Sequence, residues 1–385
     1  MLKVLHIGKF YPPATGGMER VVRSLCTSVS GRLDSRVLAY HSKPSTLSET
    51  VEGVPVTRVG TWGKAGFVPV SPGLISHLRQ IDEDLVVLHE PNPWALLSYA
   101  VAAPRQPLAI WYHSDVVRPQ LQYRLFYAPL ARRVYERATQ FIVSSPALAA
   151  HSDALRPYRD RTRVIPFGID DRAATDREAL RRAQGIRQRL TGPIVLFAGR
   201  LVAYKGVDVL IKATADLPVT VVVVGDGPMR SSWTGLAART TGPGHVVFTG
   251  EIPDDELRAY FEACDMFVLP SVTRAEAFGF VQLEAMAHGK PVISTELPSG
   301  VPWVNRDGVT GLVVPPRSVE TLRAAIRQLA DDAFLRQRLG AGGQQRVREE
   351  FSLGQMADRF VRVCHDVVTP GSSRPLSRPR SGTAG

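Results

Sequence analysis

Short apolar runs rich in β-branched residues alternate along this chain with stretches in which apolar residues recur every third or fourth position. "KVLHIG" leads into "ERVVRSLCTSVS", "DLVVLHE" into "PWALLSYAVAA", "LAIWYHS" into "YAPLARRVYERA" and "TQFIVSS" into "PALAAHSDAL", while "SRVLAY" leads into a loop. The short runs predict buried strands and the longer stretches amphipathic helices. Regular alternation of the two predicts parallel sheet, because a strand pairs in parallel with an earlier one only after a crossover, which a helix supplies. After "TRVIPFGID" and an Arg-rich helical stretch the pattern restarts with "IVLFAGR", "VTVVVVGDG", "HVVFTG", "MFVLPS", "KPVIST" and "GLVVPP". The expected fold class is therefore α/β, with two Rossmann-like domains facing each other across a cleft. Residues 1–168 form the first domain and 185–353 the second; a helix at 354–368 returns to the first, and 371–385, poor in apolar residues, are expected to be disordered. Ligands of open parallel sheets bind beyond the carboxyl ends of the strands, which places the chemistry in the cleft.

At 385 residues the chain exceeds what one hydrophobic core usually organises. No apolar run approaches the roughly 18 residues of a membrane span, and "MLKVLHIGKF" reads as a first strand, so the expected location is the cytoplasm. Cys26, Cys264 and Cys364 lie far apart without metal-ligand spacing, which fits a reducing compartment with neither disulfides nor structural zinc. The formal net charge of +11 is unevenly spread: residues 1–190 hold 26 Lys and Arg against 16 Asp and Glu, and residues 191–385 hold 21 against 20. A basic first half suits an anionic membrane leaflet, where each cation near the surface is worth about 1 kcal/mol, or serves solubility. No zinc-finger, helix-turn-helix or RNA-binding signature supports nucleic acid as a partner. The segment "RPQLQYRLFYAPLARRVYERA" mixes Arg118, Arg124, Arg132, Arg133 and Arg137 with Tyr123, Phe126, Tyr127 and Tyr135, a composition that suits a lipid interface or a buried helix with solvated arginines.

Candidate chemistry collects at strand ends. "GKFYPPATGGMERVV" sets Gly16 and Gly17 between the first strand and its helix, where backbone N–H groups can approach a phosphate and the helix dipole favours it; ordinary strand-to-helix turns use glycine too. At the matching place in the second half, "GRLVAYKG" carries Arg200 and Lys205, a planar fork and a compact charge that together fit a diphosphate, although taken alone the segment is also a turn with solvated cations. In "EAFGFVQLEAMAHGKPVIST" a helix is expected from near Phe280 to Gly289, with Glu276 in the loop entering it and Glu284 about one turn inside. Such carboxylates accept hydrogen bonds from sugar and ribose hydroxyls, with the helix N-terminus aimed at phosphate between them; acids also favour helix starts for the dipole alone. His113 ends "IWYHS", and Asp115 either orients its imidazole or caps the following segment. Asp82-Glu83-Asp84 precede a strand, at the end away from the cleft, and read as a solvated loop that requires no metal.

These segments, with "HSD", "VVGDGP", "FTGEIPDDEL" and "DGVTGLVVPP", stand in the order found in family-four retaining glycosyltransferases of the GT-B fold, which the chain resembles from residue 2 to about 368. The resemblance implies that Arg200 and Lys205 contact the donor diphosphate and that Gly16 and Gly17 approach it from the acceptor domain. It further implies that Glu284 holds the ribose, while Glu276 and the Ala277–Gly279 stretch, through the amides of Phe278 and Gly279, hold the transferred sugar. Glu251 and Ile252 would border the base, and His113 the anomeric centre. Glu90 in "LHEPNPW" stands where many relatives carry a second histidine, which leaves the acceptor side open.

Breaking the anomeric bond puts negative charge on the diphosphate, which Arg200, Lys205 and the helix amides are placed to stabilise as it develops. The sequence places no carboxylate as a nucleophile for double displacement; the resemblance implies the family's route, attack from the leaving-group face with the phosphate oxygen helping take the acceptor proton and the configuration retained. No cofactor or metal is expected. Similarity to bacterial mannosyl-type enzymes makes GDP-mannose the expected donor, with a UDP-sugar second. The expected acceptor is a lipid-linked or polysaccharide-precursor glycan, reached peripherally on the inner face of the cell membrane. A nucleotide-sugar 2-epimerase would need no acceptor. A non-catalytic sugar-nucleotide or membrane-binding subunit would have lost some of Arg200, Lys205, Glu276 and Glu284, and all four are present.

Overall fold

The computed structural model describes residues 1–14, 16–66, 68–116, 125, 127–170 and 177–369. The first half carries β1 (Leu2–Ile7), β2 (Leu33–Tyr40), β3 (Leu47–Val51), β4 (Val54–Val59), β5 (Gly63–Ala65), β6 (Val68–Val70), β7 (Leu85–Glu90), β8 (Leu108–Tyr112), β9 (Gln140–Val143) and β10 (Thr162–Val164). Eight of these form one sheet in the order β10-β9-β8-β7-β1-β2-β4-β3, parallel except for β3 at its edge, and β5 and β6 make a separate hairpin. The second half carries β11 (Ile194–Ala198), β12 (Thr220–Val224), β13 (His245–Gly250), β14 (Met266–Leu269), β15 (Val292–Thr295) and β16 (Gly311–Val314), all parallel in the order β13-β12-β11-β14-β15-β16. β12 is buried along its whole length, which is why it reads as a near-continuous apolar run, whereas β7, buried just as fully, ends in His89 and Glu90. The order reverses between β1 and β7 in one sheet and between β11 and β14 in the other. Connections leave such neighbouring strands toward opposite faces, opening a crevice at their carboxyl ends.

The loop expected after "SRVLAY" is instead the β3–β4 hairpin, turned at Glu52 and Gly53 with φ of 51° and 81°. Two successive left-handed residues match the twist of a tight hairpin. β3 lies at the sheet edge with no fully buried position, so it lacks the apolar run that marks the other strands. The helix expected from Phe280 spans Val281–Ala287 and stops before Gly289, which adopts φ 65°.

The last helix, Leu353–Val368, packs on the helix Gly17–Ser28 and on β7. Phe360 is fully buried against His6 and Trp111, a burial worth about 1.5–3 kcal/mol, and Arg32 bridges Asp358 at 2.6 Å. The helix Ala128–Arg137 buries Ala131, Val134 and Tyr135, with Tyr135 edge-on to Phe141, and leaves Arg132, Arg133 and Arg137 exposed. The described part of this segment therefore packs as a helix with solvated arginines, Tyr135 lying in the core. Arg118, Tyr123, Arg124, Phe126 and the tail 371–385 lie outside the described residues. The acidic triplet is a partial correction. Asp82 and Asp84 are exposed beside Lys3, but Glu83 turns inward, buried and paired with Arg36 at 3.1 Å.

Candidate functional site

Two loops flank the crevice of the second sheet. The one leaving β11 passes Arg200 and ends in a single tight turn, Ala203–Lys205, before Gly206 starts the helix Val207–Thr214. Gly206 has φ 66°, and a Cβ there would lie 2.2 Å from the carbonyl oxygen of Pro270. Only glycine lets this turn press against the exit of β14. The two loops are tied by the Val272 N–H donating to the Tyr204 carbonyl at 2.8 Å.

That approach brings Lys205 to Glu276. Nζ lies 2.6 Å from Oε2, and the two residues are 9% and 8% exposed. Ser271 donates its hydroxyl to the same carboxylate oxygen at 3.0 Å. Burial acts to lower the Lys205 pKa, but the Glu276 carboxylate and Tyr204 outweigh it and the net shift is upward, so the ammonium stays charged. The sequence places these residues at different parts of the donor; the structure joins them as one ion pair. An ammonium has three donors, so Lys205 keeps capacity for a second anion. Arg200 is exposed, and its side chain makes no hydrogen bond or ion pair among the described residues.

Beyond Glu276, Ala277 and the buried Phe278 lead to Gly279, whose φ is 71° and whose Cβ would meet Gln282 at 2.5 Å and Leu269 at 2.7 Å. This glycine fixes the turn into the helix that carries Glu284. Glu284 is not open to solvent alone: Arg20, from the first-half helix Gly17–Ser28, sets Nη2 2.7 Å from its Oε1 and stacks over Phe280 at 4.9 Å. Burial raises the Glu284 carboxyl pKa and Arg20 partly offsets it. Arg20 escapes sequence reasoning; its only signal is a cation in the turn that carries Gly16 and Gly17. Gly17 faces open space, but a Cβ on Gly16 would lie 2.2 Å from a carboxylate oxygen of Glu19. The helix start expected to greet a phosphate thus already holds a buried acid, whose pKa burial raises against its own amide and Lys9. Glu251, exposed, and Ile252, half-buried against the core, follow β13, two strands from β11.

His113 follows β8 and is 8% exposed. Asp115 does not orient it. The Asp115 carboxylate accepts from the Tyr112 hydroxyl at 2.9 Å and from Ser152 at 2.6 Å, with Arg274 at 4.0 Å. The orienting group is His89, whose Nδ1 lies 2.9 Å from His113 Nε2. The His113 ring packs against both Trp111 and Phe167, which also meet each other, and Phe167 meets Phe278 edge-on at 4.8 Å. A continuous series of rings therefore joins the His113 loop to the Glu276 loop of the other half.

Glu90 is wholly buried, accepting from the Asn92 N–H at 3.0 Å and from the Tyr127 hydroxyl, and burial pushes its carboxyl up to about 8. The native state keeps this proton to about pH 8, whereas the unfolded chain releases it near the ordinary 4.5. Its contribution to stability is full below that lower value and is lost as pH rises toward the upper one. Glu90→Gln, which cannot ionise, should therefore unfold at a higher temperature than the wild type at pH 8 and at a similar temperature at acid pH. Parallel melting curves across that range would remove Glu90 as the source.

A family model described as "Glycosyl transferases group 1" matches residues 176–346, and one described as "Glycosyltransferase Family 4" matches residues 15–173. The D-rhamnosyltransferase WbpZ of Pseudomonas aeruginosa is 32% identical over 355 residues, 91% of this chain and 92% of its own length. The O-antigen chain mannosyltransferase C of Escherichia coli is 30% identical over 366 residues, 94% of this chain and 98% of its own. Among solved structures, the sucrose-phosphate synthase of Thermosynechococcus elongatus superposes with a TM-score of 0.78 at 24% identity, over 94% of this chain and 98% of that one.

Proposed function

The chain belongs to the glycosyltransferases of group 1 and family 4, is itself a glycosyltransferase and has the GT-B fold, and from that premise we propose that it moves mannose from GDP-mannose onto a lipid-linked or polysaccharide-precursor acceptor, retaining the anomeric configuration. The observation that carries this reading is the buried Lys205–Glu276 pair beside Arg200, which has no partner among the described residues, at the strand pair where the second sheet reverses its order. Two cations there suit a departing diphosphate, and the carboxylate suits the hydroxyls of the sugar it leaves. In this arrangement Arg200 and Lys205 take up charge as the anomeric bond breaks, and Glu276 with the amides of Phe278 and Gly279 hold the sugar. Glu284, shared with Arg20, receives the ribose, and Glu251 and Ile252 border the base. The acceptor attacks from the face the diphosphate vacates, and its proton passes to a phosphate oxygen. The manno-configured donor is supported by two full-length relatives named for mannosyl and D-rhamnosyl transfer.

Thermal shift of the purified chain with GDP, UDP, ADP and dTDP tests the donor, because a ligand that binds only the folded state raises apparent stability by mass action. GDP should give the largest rise, and GDP-mannose should be consumed only when acceptor glycolipid is present. A larger rise with UDP would replace the donor, and sugar-nucleotide conversion without acceptor would point to an epimerase. EDTA should leave turnover unchanged; loss restored by Mg²⁺ or Mn²⁺ would place a metal at the diphosphate.

A lipid-linked acceptor requires contact with a membrane. Among the described residues no helix is long and apolar enough to cross one. The excess cations of the first half, including the exposed Arg132 and Arg133, and the exposed Leu97 and Val101 on the neighbouring helix Pro93–Ala102 support peripheral docking. The chain should co-sediment with anionic vesicles, bind neutral ones weakly, and release as salt screens the attraction. Equal partitioning onto both, or none onto either at low salt, would favour a soluble acceptor.

A further inference from the structure

His6 on β1, His89 on β7 and His113 just beyond β8 interrupt apolar strands, and the parallel register brings them together. His6 pairs with Val87 and His89 with Trp111, so each histidine lies two residues further along its strand than the one before. Two residues return a side chain to the same face. The imidazoles thus climb a diagonal from the penultimate residue of β1 to just beyond the carboxyl end of β8. Nδ1 of His6 lies 3.1 Å from Nε2 of His89, and Nδ1 of His89 lies 2.9 Å from Nε2 of His113. His6 and His89 are fully buried, and Phe360 covers the inner end. Burial holds the rings neutral, drawing His6 and His113 down to about 3; it also draws His89 well below its ordinary value, helped by its two histidine neighbours.

Each neutral ring carries one proton, and a chain joined this way is satisfied in only two orders. Any other order sets two N–H groups or two lone pairs against each other. In one order His6 Nδ1–H donates to His89 and His89 Nδ1–H donates to His113 Nε2, which leaves His6 Nε2 a bare lone pair. In the reverse order His6 Nε2 carries a proton. Among the described residues, that atom is buried without a hydrogen-bond partner. A buried N–H with no acceptor is the costlier orphan, so the first order prevails. It leaves His113 protonated on Nδ1, which makes no hydrogen bond among the described residues.

We propose that His6 and His89 are positioning residues that fix His113 as a hydrogen-bond donor, its Nδ1–H presented at the cleft to an oxygen of the substrate. The functional half of this inference rests on the cleft being the sugar-transfer site; the tautomer does not. In the full chain labelled with ¹⁵N in histidine, long-range proton–nitrogen correlation distinguishes protonated from bare ring nitrogens, and the resonances lost in His113→Gln assign that ring. The expected result is a protonated Nδ1 and a bare Nε2. His89→Asn, whose side-chain amide replaces the donating Nδ1–H, should keep this pattern. His89→Phe, or His89→Leu if the larger ring does not fold, should shift the proton toward Nε2 and lower GDP-mannose turnover about tenfold, the scale of one lost hydrogen bond. A wild-type proton on Nε2, or an unchanged tautomer without the His89 donor, would overturn the proposal. The spectrum needs no substrate, so a wrong donor sugar leaves the tautomer result standing, and a wrong tautomer leaves the proposed transfer standing.

Discussion

Arg200→Ala is expected to lower turnover by about 10²–10³-fold, the usual cost of removing one preorganised group that stabilises developing charge, while the protein melts where the wild type does. The guanidinium is exposed and holds nothing else among the described residues, so its removal leaves no buried group stranded. If the arginine acts on the leaving diphosphate, the loss falls mainly on kcat, because the charge it meets is greatest in the transition state. Arg200→Lys should recover part of the activity, since a point charge remains but the bidentate fork does not. Near-normal kcat in Arg200→Ala would remove this residue from the diphosphate site.

Lys205→Ala should lose both activity and stability. It leaves the Glu276 carboxylate buried without its ion pair, a change that costs about 3–5 kcal/mol when a buried pair is broken from one side. Glu276→Ala strands the ammonium in the same way. The double replacement Lys205→Met with Glu276→Leu removes both charges and fills similar volume, so it should regain most of the lost stability while remaining inactive. Denaturant unfolding separates the cases: the single variants should unfold at clearly lower denaturant than the wild type, and the double variant close to it. A Lys205→Ala protein as stable as the wild type would mean that the pair does not form as the structure has it. The contrast with Arg200 is a tertiary result, since both are cations of one loop and only the fold buries Lys205 against Glu276.

Much of the architecture is legible in local pattern. The strands and their order along the chain follow from β-branched runs between turn residues, and the turn between Glu276 and Glu284 follows from the glycine that starts the helix and the one that ends it. The edge hairpin β3–β4 is not legible this way, because a strand with one neighbour buries too little to show an apolar run. Its trace is the Glu52-Gly53 turn. Glu83 is misjudged for a related reason. A carboxyl reads as solvated unless a partner is known, and its partner, Arg36, comes from a strand remote in sequence.

The candidate site divides along the same line. Sequence alone determines that Arg200, Lys205, Glu276, Glu284 and His113 lie in segments leaving the carboxyl ends of parallel strands or just beyond them, because strand direction and turn chemistry are properties of contiguous residues. Only the tertiary structure decides which of them touch. Lys205 meets Glu276 because β11 and β14 are neighbours and Gly206 lets their loops close. Arg20 meets Glu284 because the two halves face each other, and His113 is oriented by His89 rather than Asp115 because the parallel register carries His89 to it. Register and domain facing are set by the sum of many weak packing contacts spread over the whole chain, and no short stretch of residues encodes that sum.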